Sequence, residues 1–101
     1  MFTRYKILIT DRNGKSQNGS LHSTSIRNAL HDACQLEVNY SSIRIIPTFE
    51  QVQSDLRTWG MTIRKDMAAD YIVRWKHGEE IIITNGLDDA YNTAWSVHNG
   101  L

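Results

Sequence analysis

Apolar residues recur at every second position in several short stretches of this chain, and that period of two most restricts what it can fold into. In "TRYKILIT" it sets Tyr5, Ile7 and Ile9 on one side of an extended segment and Arg4, Lys6 and Leu8 on the other. Similar short strands are expected in "SSIRIIP" and near Met61 to Lys65, Tyr71 to Lys76 and Glu80 to Thr84. Pro47 ends the "SSIRIIP" strand because proline has no N–H to give a ladder. Asn13-Gly14 suits the positive φ angles of a tight hairpin and leads into a return strand, Ser16 to His22, whose polarity assigns it to a sheet edge. His77-Gly78 joins the last two strands in the same way.

Three further stretches switch to helical spacing. In "STSIRNALHDACQLE", Ile26, Ala29, Leu30, Ala33 and Cys34 form one stripe behind a Thr24 or Ser25 cap. Thr48 with Gln51 fits a capping box for a second helix, Phe49, Val52, Leu56 and Trp59 supply its stripe, and Gly60 suits the left-handed closing position. In "NGLDDAYNTAWSV", Asn85 is the expected cap and Asp88 and Asp89 lie in the first turn, where the helix dipole favours anions. Leu87, Ala90, Tyr91, Ala94 and Trp95 face inward. The resulting order is β-β-α-β-α-β-β-β-α. It predicts an α/β fold of the α+β type, a single compact domain over 1–101 with one five- to six-stranded antiparallel or mixed sheet and three helices.

Composition agrees with a self-sufficient core: 101 residues with 41% hydrophobic content fit one domain that needs neither metal nor disulfide. The lone Cys34 forms no internal bridge, and neither a secretory pattern nor an 18-residue apolar run is present, so a cytoplasmic protein with no membrane contact is expected. The sequons at Asn18 and Asn39 then stay idle. Charge is unevenly spread: residues 1–47 hold six Lys/Arg against three Asp/Glu, and 48–101 hold five against eight.

Strand parity assigns Tyr71, Val73 and Trp75 to the core side with Met61, Ile63, Ile81, Ile83, Ile43 and Ile45. The opposite face then gathers Arg4, Lys6, Arg44, Arg64, Arg74 and Lys76 around Leu8, Ile46, Ile72 and Ile82. Apolar residues ringed by cations have the anatomy of a binding patch. Two plainer readings compete, a solvated open face or a face covered by one of the helices.

Catalytic constellations fail on partners. His31 and Cys34 sit a helical turn apart, but no second ligand pair exists to complete a zinc site. Ser20, His22, Ser23 and Ser25 lack a base held by a third group. Asp88 and Asp89, adjacent on a helix, diverge by about 100°, and Gly14, Gly19 and Gly78 occur singly in turn contexts rather than in a phosphate loop. No enzyme activity, metal or cofactor is expected.

The layout of 48–98, helix, "GMTIRK", "YIVRW", "EEIIIT", helix, resembles the α-β-β-β-α order of double-stranded-RNA-binding domains and of HicA-type toxin nucleases. The toxins' Gly-Ser-His context is absent between Gly60 and Trp75, and Asp88 and Asp89 stand where the RNA binders place lysines. A tyrosine-led hairpin followed by an alanine-rich helix occurs twice: Tyr5 leads to Ile26-x-x-Ala29-Leu30-x-x-Ala33-Cys34, and Tyr71 to Leu87-x-x-Ala90-Tyr91-x-x-Ala94-Trp95. Both convergence and duplication account for this echo. The unit resembles small proteins of phages and other mobile elements, including anti-CRISPR proteins. That resemblance implies a non-enzymatic inhibitor, in the host cytoplasm if phage-encoded, that occludes a surface of a bacterial defence complex. The expected partner is a protein or nucleoprotein complex with an acidic patch. The alternative is a nucleic-acid-binding module that uses the basic face, although the zero net charge and the core placement of Tyr5, Tyr71 and Trp75, which leaves only Phe2 nearby, speak against it.

Overall fold

A computed structural model describes residues 2–37 and 42–100; the Asn39 sequon and Ser41 lie outside the described residues. In chain order the elements are β1 (Thr3–Thr10), β2 (Ser16–Ser23), α1 (Ile26–Leu36), β3 (Ser42–Ile46), α2 (Phe49–Thr58), β4 (Met61–Lys65), β5 (Tyr71–Trp75), β6 (Glu80–Thr84) and α3 (Leu87–His98). The fold is α+β in the expected order. The single sheet is a misreading: the strands form two antiparallel three-stranded sheets, β2-β1-β3 and β4-β5-β6. Each pairs only strands of its own compact unit, Met1–Thr48 or Phe49–Leu101.

In the first unit a five-residue loop joins β1 to β2. Asp11 N–H donates to Lys15 O at 2.9 Å, Gly14 N–H donates to Asp11 O at 3.1 Å, and Gly14 takes φ 83°. The Asp11 carboxylate accepts from the Asn13 and Lys15 amides, each at 2.9 Å. This is the loop of a type I turn followed by a left-handed residue. Ser25 caps α1, its hydroxyl accepting from Asn28 N–H at 3.1 Å. The helix packs on β3 and β2, and its Ile26, Ala29 and Ala33 are buried, as are Tyr5, Ile7, Ile43 and Ile45 of the sheet. Cys34 departs from the expected stripe and is exposed. It stands one residue, about 100° of helical rotation, past Ala33, which takes it off the buried arc.

The second unit repeats the hairpin loop. Asp66 N–H donates to Asp70 O at 2.9 Å, Ala69 N–H donates to Asp66 O at 3.2 Å, and the Asp66 carboxylate accepts from the Ala68 and Asp70 amides at 3.0 and 2.9 Å. Here the left-handed position is held by an alanine, Ala69 at φ 65°. Helix α2 packs on β4, and α3 packs on β5, β6 and α2. Val52, Leu56, Met61 and Val73 are fully enclosed, and burial of such side chains stabilises by roughly 1.5–3 kcal/mol each. Gly60, at φ 77°, closes α2 as expected. The expected cap of α3 is corrected: Gly86, not Asn85, is the N-cap, with no side-chain bond. Thr84 tightens this entry, its hydroxyl donating to Asp89 Oδ2 at 2.9 Å and accepting from Gly86 N–H at 3.3 Å.

Candidate functional site

Of the expected basic patch, Arg4, Lys6 and Arg44 fall on the open face of the first sheet and Arg64 and Arg74 on that of the second. In the first, Lys6 is registered with Ile46 and Leu8 with Arg44; on the other flank of β1, Arg4 is registered with His22, Lys6 with Ser20 and Leu8 with Asn18. Cross-strand partners share a face, so Arg4, Lys6 and Arg44 stand together around Leu8 and Ile46, beside the polar side chains of β2. Arg4, Lys6, Arg44 and Ile46 are exposed and Leu8 is half-buried. None of the three strands contains an Asp or Glu.

The second sheet carries Arg64 and Arg74 on its open face, where Arg64 is registered with Ile72 and Thr62 with Arg74. Glu80 stands opposite Arg74, with Arg74 Nη2 and Glu80 Oε2 4.0 Å apart. Two expected members of the patch, Ile82 and Lys76, are displaced, and a third, Ile72, is enclosed. A register shift between Val73 and Arg74 leaves Ile81 as the extra residue of β6, so Ile82 pairs with Val73 on the core side and Ile83 pairs with Ile72 on the open side. Ile83 is accordingly 52% exposed. Ile72 keeps the expected face yet is only 7% exposed, too enclosed to touch a partner. Lys76 lies beyond the end of β5 in the turn, its N–H donating to Gly60 O at 2.8 Å.

The aromatic residues of β5 follow the expected parity. Tyr71 and Trp75 share the side of Met61, Ile63 and Val73. Phe49 stacks on Tyr71 at 6.0 Å, Lys65 Nζ lies 5.6 Å from the Tyr71 ring, and Trp75 stacks on His77 at 6.1 Å. Phe2, directly before β1, is exposed.

Several candidate catalytic groups hold structural bonds. The serines of "SLHSTS" separate: Ser25 caps α1, while Ser23 is buried and its hydroxyl donates to Asp32 Oδ2 at 3.4 Å. Ser20 and His22 face the other way, on the open side. The Gln35 amide donates to His31 Nε2 at 3.2 Å on the outside of α1. Among the described residues no three His, Cys, Asp or Glu side chains converge on a point that holds a metal. Surface hollows beside the two hairpin loops are lined by Ile9, Asp11, Lys15, Ser16 and Gln17 and by Arg64, Lys65, Asp66, Met67 and Ala68. In each, the aspartate that opens the loop accepts from the loop's own amides.

Sequence reasoning passed over Asp55, which is buried and accepts from the Tyr91 hydroxyl at 3.1 Å. The signal was its spacing, three residues after Val52 and one before Leu56 on the apolar arc of α2. No protein-family model, no curated protein and no solved structure matches this chain.

Proposed function

We propose that the chain is a non-enzymatic binding protein whose recognition surface is the open face of β2-β1-β3. Its partner is a protein or nucleoprotein complex that presents an acidic patch. One observation carries this reading: three exposed cations, Arg4, Lys6 and Arg44, surround Leu8 and Ile46 on a sheet whose strands contain no carboxylate. Leu8 and Ile46 exclude water at the centre, and the arginines offer bidentate geometry to carboxylates. Arg64 and Arg74 form a secondary basic surface, weakened by Glu80. An inhibitor that occludes a surface of a bacterial defence complex is the role we infer, and it rests on the twice-used hairpin-helix unit.

The test is a pull-down from bacterial lysate with and without nuclease, followed by affinity measurement on the captured partner. Lys6→Glu with Arg44→Glu should weaken binding by about 100-fold or more, through lost pairing and new repulsion, while Arg64→Glu with Arg74→Glu has a smaller effect. Unchanged affinity after the first reversal defeats the reading. A second reading, nucleic-acid binding, draws on Asn18, Ser20 and His22 beside the cations, side chains that suit phosphate oxygens. It requires log affinity to fall linearly with log salt, by about 0.9 per duplex phosphate neutralised, and capture to be lost on nuclease treatment.

A further inference from the structure

We propose that β2 is a docking edge, on which an extended acidic segment of the partner adds to the first sheet as a fourth strand. The inference rests on the basic face being the recognition surface and specifies how that surface is read.

Strand β2 is outermost and stays in register with β1 over all eight residues. The hydrogen bond from Asp11 N–H to Lys15 O fixes the phase of the ladder. Counting by twos from that pair, the backbone groups of Ser16, Asn18, Ser20 and His22 point away from β1. The opposite edge confirms the count: Ile43 N–H, which the same alternation turns away from β1, donates to Glu37 Oε1 at 3.1 Å. The Ile43 N–H of that edge is thereby taken by a side chain, and Pro47 follows the strand directly. By contrast, Ser16, Asn18, Ser20 and His22 are exposed, and their outward backbone groups have no protein partner among the described residues.

Sheet edges are usually blunted by lysine, proline, a bulge or a covering segment. "SQNGSLHS" has no charged residue and no proline, and its pairing shows no bulge. An eight-residue edge left in this state suits strand addition, in which main-chain bonds supply affinity and alternate side chains supply specificity.

Charge selects the occupant. On the open face an added strand lies beside Asn18, Ser20 and His22, about 10 Å, or two strand spacings, from Arg4 and Lys6. Small Ser20 leaves Lys6 room to lean across, and an alternate-position Glu on the added strand meets it halfway. A second copy of β2 brings no carboxylate and adds a second Arg4 and a second Lys6 to the same widened sheet face, so an acidic peptide fits where self-pairing does not.

The probe is an eight-residue peptide alternating Glu and Thr, titrated into the full chain and followed by amide NMR. A Lys/Thr peptide and a Glu/Thr peptide N-methylated on the residues that face the edge serve as comparisons. The Glu/Thr peptide should shift the amides of β2 foremost. The Lys/Thr peptide should not bind, and N-methylation should weaken binding by about tenfold or more, the loss expected from two hydrogen bonds. Ser20→Pro should do the same, since it removes an outward N–H that the β1 ladder does not use. The N-methylated peptide gives the answer even where that variant fails to fold. If binding of the Glu/Thr peptide falls with Lys6→Glu and Arg44→Glu but ignores N-methylation, the edge inference fails and the face reading stands. Binding indifferent to both sinks the two together. No binding, or concentration-dependent self-association through β2, overturns the edge inference.

Discussion

The Tyr91 hydroxyl donates to the Asp55 carboxylate at 3.1 Å, a buried bond between residues 36 apart that ties α3 to α2. Trp59, one turn beyond Asp55, lies 5.5 Å from the Tyr91 ring and stacks on His98 at 5.2 Å. The polar contact thus sits within an aromatic helix-helix seam. Tyr91→Phe takes a donor from a buried carboxylate and should cost about 1–3 kcal/mol, read as a fall in the urea midpoint at unchanged slope. A cycle with Asp55→Asn should show coupling of about 0.5 kcal/mol or more; additive losses would refute a direct interaction.

The matched loops make a second prediction. Ala69 holds at φ 65° the position that Gly14 holds at φ 83°. A left-handed conformation costs a non-glycine residue about 1–2 kcal/mol, offset in part by the entropy that glycine loses on folding. Ala69→Gly should therefore raise stability by about 0.5–1 kcal/mol, and Gly14→Ala should lower it similarly, both read from thermal midpoints.

The bulge in β6 exchanges the roles of two neighbours. Ile82→Ala removes packing on the side of Val73 and should cost about 2 kcal/mol. Ile83→Thr, on the open side, should change stability by less than about 0.5 kcal/mol. Chemical denaturation of the two variants checks the assignment, and the reverse ranking would restore an unbulged strand.

His31 and Cys34 lie on the exposed side of α1. Alanine at either position should alter stability by less than about 0.5 kcal/mol. Elemental analysis should find purified protein free of stoichiometric zinc before and after substitution, and one bound zinc per chain would contradict this.

What the sequence made legible follows from what a period records. Alternation tells which residues share a face, so Tyr5, Ile7, Ile43 and Ile45 were correctly set against Arg4, Lys6 and Arg44. It does not tell which strand lies beside which, and the two separate sheets went unseen for that reason. Three consecutive isoleucines read the same in either phase, so the extra residue at Ile81 left no mark, and Ile82 and Ile83 were exchanged. Helical stripes were clear at their centres, as with Ala29 and Ala33, and unreliable at their margins, as with Cys34. Asp55 was hidden because a carboxylate on an apolar arc is ordinarily read as that arc's boundary. The segregation of cations onto the strands was legible, but its division between an acid-free first sheet and a second sheet that carries Glu80 needed the pairing.

The division at Thr48 also has an optical consequence. All three tryptophans, Trp59, Trp75 and Trp95, belong to Phe49–Leu101. Intrinsic emission excited at the red edge of protein absorbance is therefore a reporter for one half of the chain, silent about the half that carries Arg4, Lys6 and the β2 edge. Far-ultraviolet ellipticity sums over both. Overlaying the two signals along one denaturant titration compares the halves without any label: coincident curves mean that they melt as one cooperative block, and an early ellipticity loss means that Met1–Thr48 lets go first.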